Sequence, residues 1–176
     1  MNKIFFDLET QKSNIDVGWR NVKDMKMSVA ITFDDIHTAH VGEKSVPGLI
    51  ERLKRADLVI GYSIKLFDYK VLSAYTDFDL WSLPTFDLLE QVQQEYGVRV
   101  PLSNLAWSTL REKKDVDGLH AVQLFKEGKT KELVEYCYND VEILRKLYAF
   151  GCKNGYLMAM DKFGHISSFD FYEPEP

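Results

Sequence analysis

The sequence has little cysteine. Cys137 and Cys152 are the only two among 176 residues, and no CxxC or Cys/His cluster surrounds them. That excludes a disulfide-built scaffold and a zinc site of the usual ligand spacing. Both are expected as free thiols, with Cys137 packed on a helix. Long apolar runs are also lacking, since none approaches the roughly eighteen residues that a bilayer crossing needs. Met1 to Phe6 is too short for a signal peptide and runs straight into acidic residues. The expectation is a cytosolic chain with no membrane partner. Basic excess is missing too: 22 Lys and Arg face 27 Asp and Glu, a net charge of −5. Taken alone this weighs against a nucleic-acid binder. The conflict disappears if several of the acids surround bound cations. There is no repeat, low-complexity block or linker.

What is present is enough apolar sequence, 45%, for one substantial core. Residues 3–8 read as a buried strand, and 11–26 as a polar loop. Residues 27–33 read as a second strand, with 36–41 as its hairpin partner after the Asp34-Asp35 turn. Pro47 sits at a helix start. Leu58-Val59-Ile60 is a short buried strand that ends at Gly61. Helix resumes near Phe67, and 85–88 is a short strand or helix entry. Pro101 opens another helix, 111–118 is a charged loop, and 119–127 is helical. The strongest periodicity lies in 131–150, where Val134, Cys137, Val141, Leu144 and Tyr148 recur every three or four residues. Tyr156 to Met160 reads as a last strand. Residues 1–172 form a single α/β domain on this reading, and 173–176 a disordered tail.

Three acidic groups carry the chemistry. Asp7 and Glu9 lie two apart at the end of the first strand, so they share a face with Leu8 opposite. Two carboxylates there repel one another unless a cation lies between them. A strand tip running into solvent fits the same residues equally well. Asp68 falls in the first turn of a helix, where any acid is favoured by the macrodipole. Tyr136 and Asp140 are i and i+4 on the long helix, hence on one face. A rim tyrosine beside a solvated aspartate is the ordinary alternative.

The order of these signals is more specific than any one of them. Phe6-Asp7-Leu8-Glu9-Thr10, then Gly61 through Asp68 to Leu72, then Tyr136-x-x-x-Asp140, resembles the three motifs of the DEDD exonuclease superfamily. The third motif matches its tyrosine (DEDDy) variant, since Glu135 stands where the other variant carries histidine. The resemblance runs from residue 7 to 140. It implies a ribonuclease-H-like three-layer fold, with a mixed sheet of five or six strands between helices. It also implies a metal-dependent 3′-to-5′ exonuclease that releases nucleoside monophosphates. Asp7, Glu9, Asp68 and Asp140 would hold two Mg²⁺ or Mn²⁺ ions, as oxygen ligands suit hard cations. Tyr136 would orient the attacking water, because a phenol of pKa near 10 is a poor base. Two positions depart from the family pattern: Ser63 stands where Asn is usual, and Tyr62 where His is frequent. Both bear on substrate contacts rather than metal ligands.

Thr10, Ser63 and Lys65 are the candidate substrate contacts, although Lys65 also fits an ordinary solvated lysine. Phe67 reads as core rather than as a base-stacking platform. Lys113 and Lys114 read as a solvated loop, and Asp87 as a helix N-cap rather than a fifth cleft acid. Trp19, Trp81 and Trp107 are expected to pack inside. His37, His40, His120 and His165 lack metal-ligand spacing. The expected substrate is a single-stranded DNA or RNA 3′ end, and proofreading would need a separate polymerase or helicase. Two other readings compete. Haloacid-dehalogenase phosphohydrolases also open on Asp-x-acid, but usually with Asp second. An inactive ribonuclease-H-like binding module would keep the fold, yet all four acids and the tyrosine are present.

Overall fold

In a computed structural model, residues 1–18, 20–34, 36–114 and 118–174 are described. Five strands build the main sheet: β1 (Lys3–Thr10), β2 (Met27–Phe33), β3 (Thr38–Gly42), β4 (Leu58–Gly61) and β5 (Thr85–Asp87). Their order is β3-β2-β1-β4-β5. β1 pairs antiparallel with β2 and parallel with β4, so the sheet is mixed, as expected, with five strands rather than six.

Both faces are covered. Phe5, Val29, Ile31 and Ile60 project into one apolar layer with α6 (Gly118–Lys126) and α7 (Thr130–Asn154). Ile4, Phe6, Leu8 and Val59 project into the other, against α2 (Val46–Lys54) and α3 (Asp68–Leu72). The period-2 alternation of β1 separates these two sets. On α7 the residues Cys137, Val141, Leu144, Leu147 and Tyr148 are buried at helical spacing. Burial of Leu144 and Leu147 contributes about 1.5–3 kcal/mol each. Gly155 ends α7 in the left-handed region at φ 76°, where a side chain would be strained.

The polar stretch 11–26 is more ordered than a loop. It holds α1 (Asn14–Val17) and a 3₁₀ turn at Val22–Met25. Ser13 and Asp16 form a capping box around α1. α4 (Leu88–Tyr96) follows β5 directly, and α5 (Leu102–Leu105) runs on into a π-helical turn at Ala106–Leu110. The strand at Tyr156–Met160, β6, leaves the main sheet. It forms a separate two-stranded sheet with β7 (Ile166–Asp170). Glu173 is not loose: its carboxylate meets Lys3 Nζ at 2.7 Å, while Glu175 and Pro176 lie outside the described residues. Trp81 and Trp107 are exposed rather than core, at 45% and 41%, and Trp19 lies outside the described residues. Among the described residues no helix is long and apolar enough to cross a membrane.

Candidate active site

The site lies where β1 outruns its parallel neighbour. β4 pairs with β1 only up to Phe5, so Asp7 and Glu9 extend beyond it on the face covered by α7. Opposite them α7 presents Asp140, which is buried on the sheet side of the helix. Asp7, Glu9 and Asp140 each offer a carboxylate oxygen within 4.8 Å of the other two. Three acids are drawn together here by a strand and a helix distant in sequence.

Asp68 joins from behind. β4 ends at Gly61, and the chain folds back sharply: a Cβ at Gly61 would overlap the Ile64 side chain. α3 then starts at Asp68, whose side chain is 2% exposed. Asp68 Oδ1 accepts the Leu8 N–H at 3.1 Å, in the middle of the Asp7-Leu8-Glu9 run. Asp7 is close enough that its charge disfavours ionisation of Asp68.

The electrostatics are those of acids crowded out of water. Burial, then the charge of Asp140, raises the Asp7 pKa from 3.8 to about 8, and Lys114 opposes the shift. Burial, then Asp7 and Asp140, holds Glu9 well above the usual carboxylate range. Burial, then Asp7, does the same to Asp68. Such a set is costly without cations. The donors fit hard divalent ions: all are carboxylate oxygens, with no nitrogen or thiolate ligand among them. The Cys137 thiol touches Asp7 from below, with Sγ 3.6 Å from the Asp7 carbonyl oxygen and 3.7 Å from Oδ2. Burial raises its pKa well above normal, so it remains a thiol.

Tyr136 lies one turn before Asp140 and lines the same cavity, of about 310 Å³, with Lys114 and Asn139. Its ring meets that of His120 at 5.9 Å, so one of the four unassigned histidines borders the site. Lys114 is not a solvated loop residue. Its Nζ is 2.7 Å from Asp140 Oδ2, its side chain is only 13% exposed, and it lies 5.6 Å from the centre of the Tyr136 ring. Nothing in the local sequence marks it, because the contact joins a loop to a helix.

The candidate substrate residues have intramolecular partners. Thr10 is buried and its hydroxyl donates to the Lys12 carbonyl at 2.8 Å. Lys65 Nζ pairs with Glu90 at 2.6 Å. Ser63 adopts φ 65°, and its N–H donates to Asp87 at 2.7 Å. Asp87 caps α4 as expected, accepting the Leu89 N–H, and also accepts from Lys65 N–H. It therefore fastens the loop before Asp68, a role the capping signal alone does not reveal. Tyr62 donates its hydroxyl to the Val100 carbonyl. On the far side of Glu9 opens a crevice of about 390 Å³, lined by Thr10, Met25, Phe67, Leu119 and Val122. Phe67 thus serves both as packing and as a crevice wall.

Comparison with curated proteins gives no match. Among solved structures, the family B DNA polymerase from the hyperthermophilic archaeon Pyrobaculum calidifontis is similar, with a TM-score of 0.65 at 14% identity. The match covers 86% of this chain and 24% of the polymerase, so the chain spans about a quarter of that protein. At this identity the likeness is one of fold. The family model of the RNase H superfamily matches residues 4–150, which contain every acid of the site. The chain belongs to the RNase H superfamily.

Proposed function

We propose that this chain is a metal-dependent 3′-to-5′ exonuclease acting on single-stranded nucleic-acid ends. The observation that carries the reading is the convergence of Asp7, Glu9 and Asp140 within 4.8 Å, backed by buried Asp68. An arrangement this unfavourable in the absence of cations fits a site that works with them. Membership of the RNase H superfamily supports a nuclease, and the tyrosine one turn from Asp140 supports the DEDDy form.

Asp7, Glu9 and Asp140 would hold Mg²⁺ or Mn²⁺, with Asp68 supporting a second ion directly or through water. Bound divalent ions supply Lewis acidity towards the phosphate and lower the pKa of water. Asp68 also fixes the backbone between Asp7 and Glu9 through the Leu8 N–H. That limits reorganisation of the acids during the reaction. Tyr136 directs its hydroxyl to the attacking water and holds it in line. The apolar crevice beside Glu9 takes the terminal base, with Phe67 and Leu119 as walls. Lys65 reaches a backbone phosphate only by leaving Glu90. Thr10 contributes to the crevice as a wall residue, and Ser63 through its backbone turn.

The test is digestion of 5′-labelled single-stranded DNA and RNA in Mn²⁺ or Mg²⁺. Parallel reactions contain EDTA, or the Asp7→Ala or Asp140→Ala protein. A ladder shortening from the 3′ end, lost in all three controls, is the expected result. Absence of cleavage by folded wild-type protein on either strand and with either metal overturns the reading.

A further inference from the structure

Lys114 places a full positive charge inside the acidic cluster. The ammonium contacts Asp140 at 2.7 Å and acts electrostatically on Asp7 and Glu9 as well. The same Nζ lies 5.6 Å from the centre of the Tyr136 ring, and the side chain is 13% exposed. A surface ion pair of two mobile side chains contributes little. This pair is largely withdrawn from water, and Asp140 is one of the three acids that converge on a common point. The ammonium thus occupies ground that a divalent ion bound to Asp140 would claim.

We propose that Lys114 is a working member of the site with two partners in turn: Asp140 while the site is metal-free, and the substrate phosphate once a divalent ion has taken Asp140. This rests on the exonuclease reading and deepens it. Charge balance supports the exchange. Four ionised carboxylates match two divalent ions, leaving one ammonium and one phosphodiester, of opposite sign, to pair. Geometry supports it too. Lys114 lines the open cavity shared by Tyr136 and Asp140, so a displaced ammonium remains at the rim where the strand would pass. Glu112 does not compete for it, since both its carboxylate oxygens are held by Lys146 at 2.9 Å.

Two measurements test this without reading cleavage. In the first, EDTA-stripped wild-type, Lys114→Met and Lys114→Arg proteins are titrated with Mn²⁺ by calorimetry. Methionine keeps most of the length and the apolar stem but removes the charge. Lys114→Met should bind Mn²⁺ on the order of tenfold more tightly than wild type, while Lys114→Arg stays near wild type. In the second, the same proteins bind a fluorescent single-stranded oligonucleotide in Ca²⁺ at several salt concentrations. Lys114→Met should bind more weakly, with a log–log salt slope smaller by about one counterion, and Lys114→Arg should retain the slope. Equal Mn²⁺ affinity in wild type and Lys114→Met, or an unchanged salt slope, overturns the role given to Lys114 and leaves the exonuclease reading standing. No Mn²⁺ binding by any of the three folded proteins overturns both.

Discussion

Asp87 accepts the Ser63 N–H at 2.7 Å, and this bond ties the end of β5 to the loop that delivers Asp68. The same carboxylate takes the N–H groups of Lys65 and Leu89, each at 3.1 Å. Asp87 therefore caps a helix and closes a loop at once. Asp87→Ala leaves three backbone donors without this acceptor, and each that remains buried costs about 1–3 kcal/mol. Asp87→Asn keeps one oxygen able to serve Ser63 and Leu89 and loses the bond to Lys65. Urea unfolding should show Asp87→Ala destabilised by at least about 2 kcal/mol, with Asp87→Asn in between. Mn²⁺ titration should show weaker binding in Asp87→Ala, because Asp68 loses its fixed approach. Wild-type metal affinity in a folded Asp87→Ala protein would limit Asp87 to the cap.

Ser63 explains a departure from the family pattern. Its φ of 65° lies in the left-handed region, which costs most residues roughly 1–2 kcal/mol, while Asn and Gly enter it more readily. The asparagine usual at this position suits the backbone, whatever else it does. Ser63→Asn should therefore raise the melting temperature by about 2–4 °C for each kcal/mol recovered, measured by differential scanning fluorimetry. A lower melting temperature would mean that the Arg99 contact to the Ser63 hydroxyl, at 3.5 Å, outweighs the backbone preference.

How far the sequence revealed the site depends on how local each contact is. Asp7 and Glu9 follow from strand alternation, and the buried face of α7 follows from spacing at Cys137, Val141 and Leu144. Lys114 does not, because a loop lysine carries no periodicity that points to Asp140. β7 was hidden for a related reason: Ile166-Ser-Ser-Phe-Asp170 buries only Phe169 and so lacks clear alternation. Trp81 looks like core by type, yet its indole N–H reaches the Lys65 carbonyl at 3.0 Å from the surface. The Ser13–Asp16 capping box is legible in principle, but Gly18 directly after Val17 leaves room for a single turn, too short to show a helical period.

Metal-free stability should fall as pH rises. Asp7 has a folded pKa of about 8 against 3.8 for the ordinary group, and Glu9 and Asp68 shift in the same direction. The folded state then binds more protons than the unfolded state across that interval. Its contribution is complete below about pH 4 and is lost as pH climbs through 8. The lowered acids, Asp16 and Asp34 among them, shift the other way and have finished titrating by about pH 5. Between pH 5 and 8 the raised group governs. In EDTA the melting temperature of the wild type should decline over this range. The decline should be shallower in Asp7→Asn, and Mn²⁺ should stabilise the wild type most at pH 8. A flat wild-type profile in EDTA would mean that the acids lie further apart in solution.

Cys137 and Cys152 should differ sharply towards alkylation. Cys137 is buried beneath Asp7, and burial together with four neighbouring acids raises its pKa. Cys152 is exposed, and the lesser rise in its pKa slows the reaction without preventing it. Mass spectrometry after iodoacetamide treatment of the native protein should find one adduct, at Cys152. A second adduct at Cys137 that vanishes on adding Mn²⁺ would mean that the floor of the metal-free site opens on the timescale of labelling.

Tyr136 offers the cleanest separation of positioning from binding. It lies one helical turn from Asp140, and its ring is held by contact with His120 while its hydroxyl is the only group that phenylalanine would remove. Tyr136→Phe keeps the packing and every carboxylate. Metal affinity and KM should therefore stay within about twofold. A group that orients water acts in the transition state and not in the ground state, so kcat should fall, by about 10²-fold on the scale of positioned polar groups. If the phenol were instead the general base, kcat would rise with pH as the phenol ionises, and that rise would disappear in Tyr136→Phe. A kcat unchanged by Tyr136→Phe would show that the carboxylates hold the water without help, and would remove the tyrosine from the machinery while leaving the metal site intact.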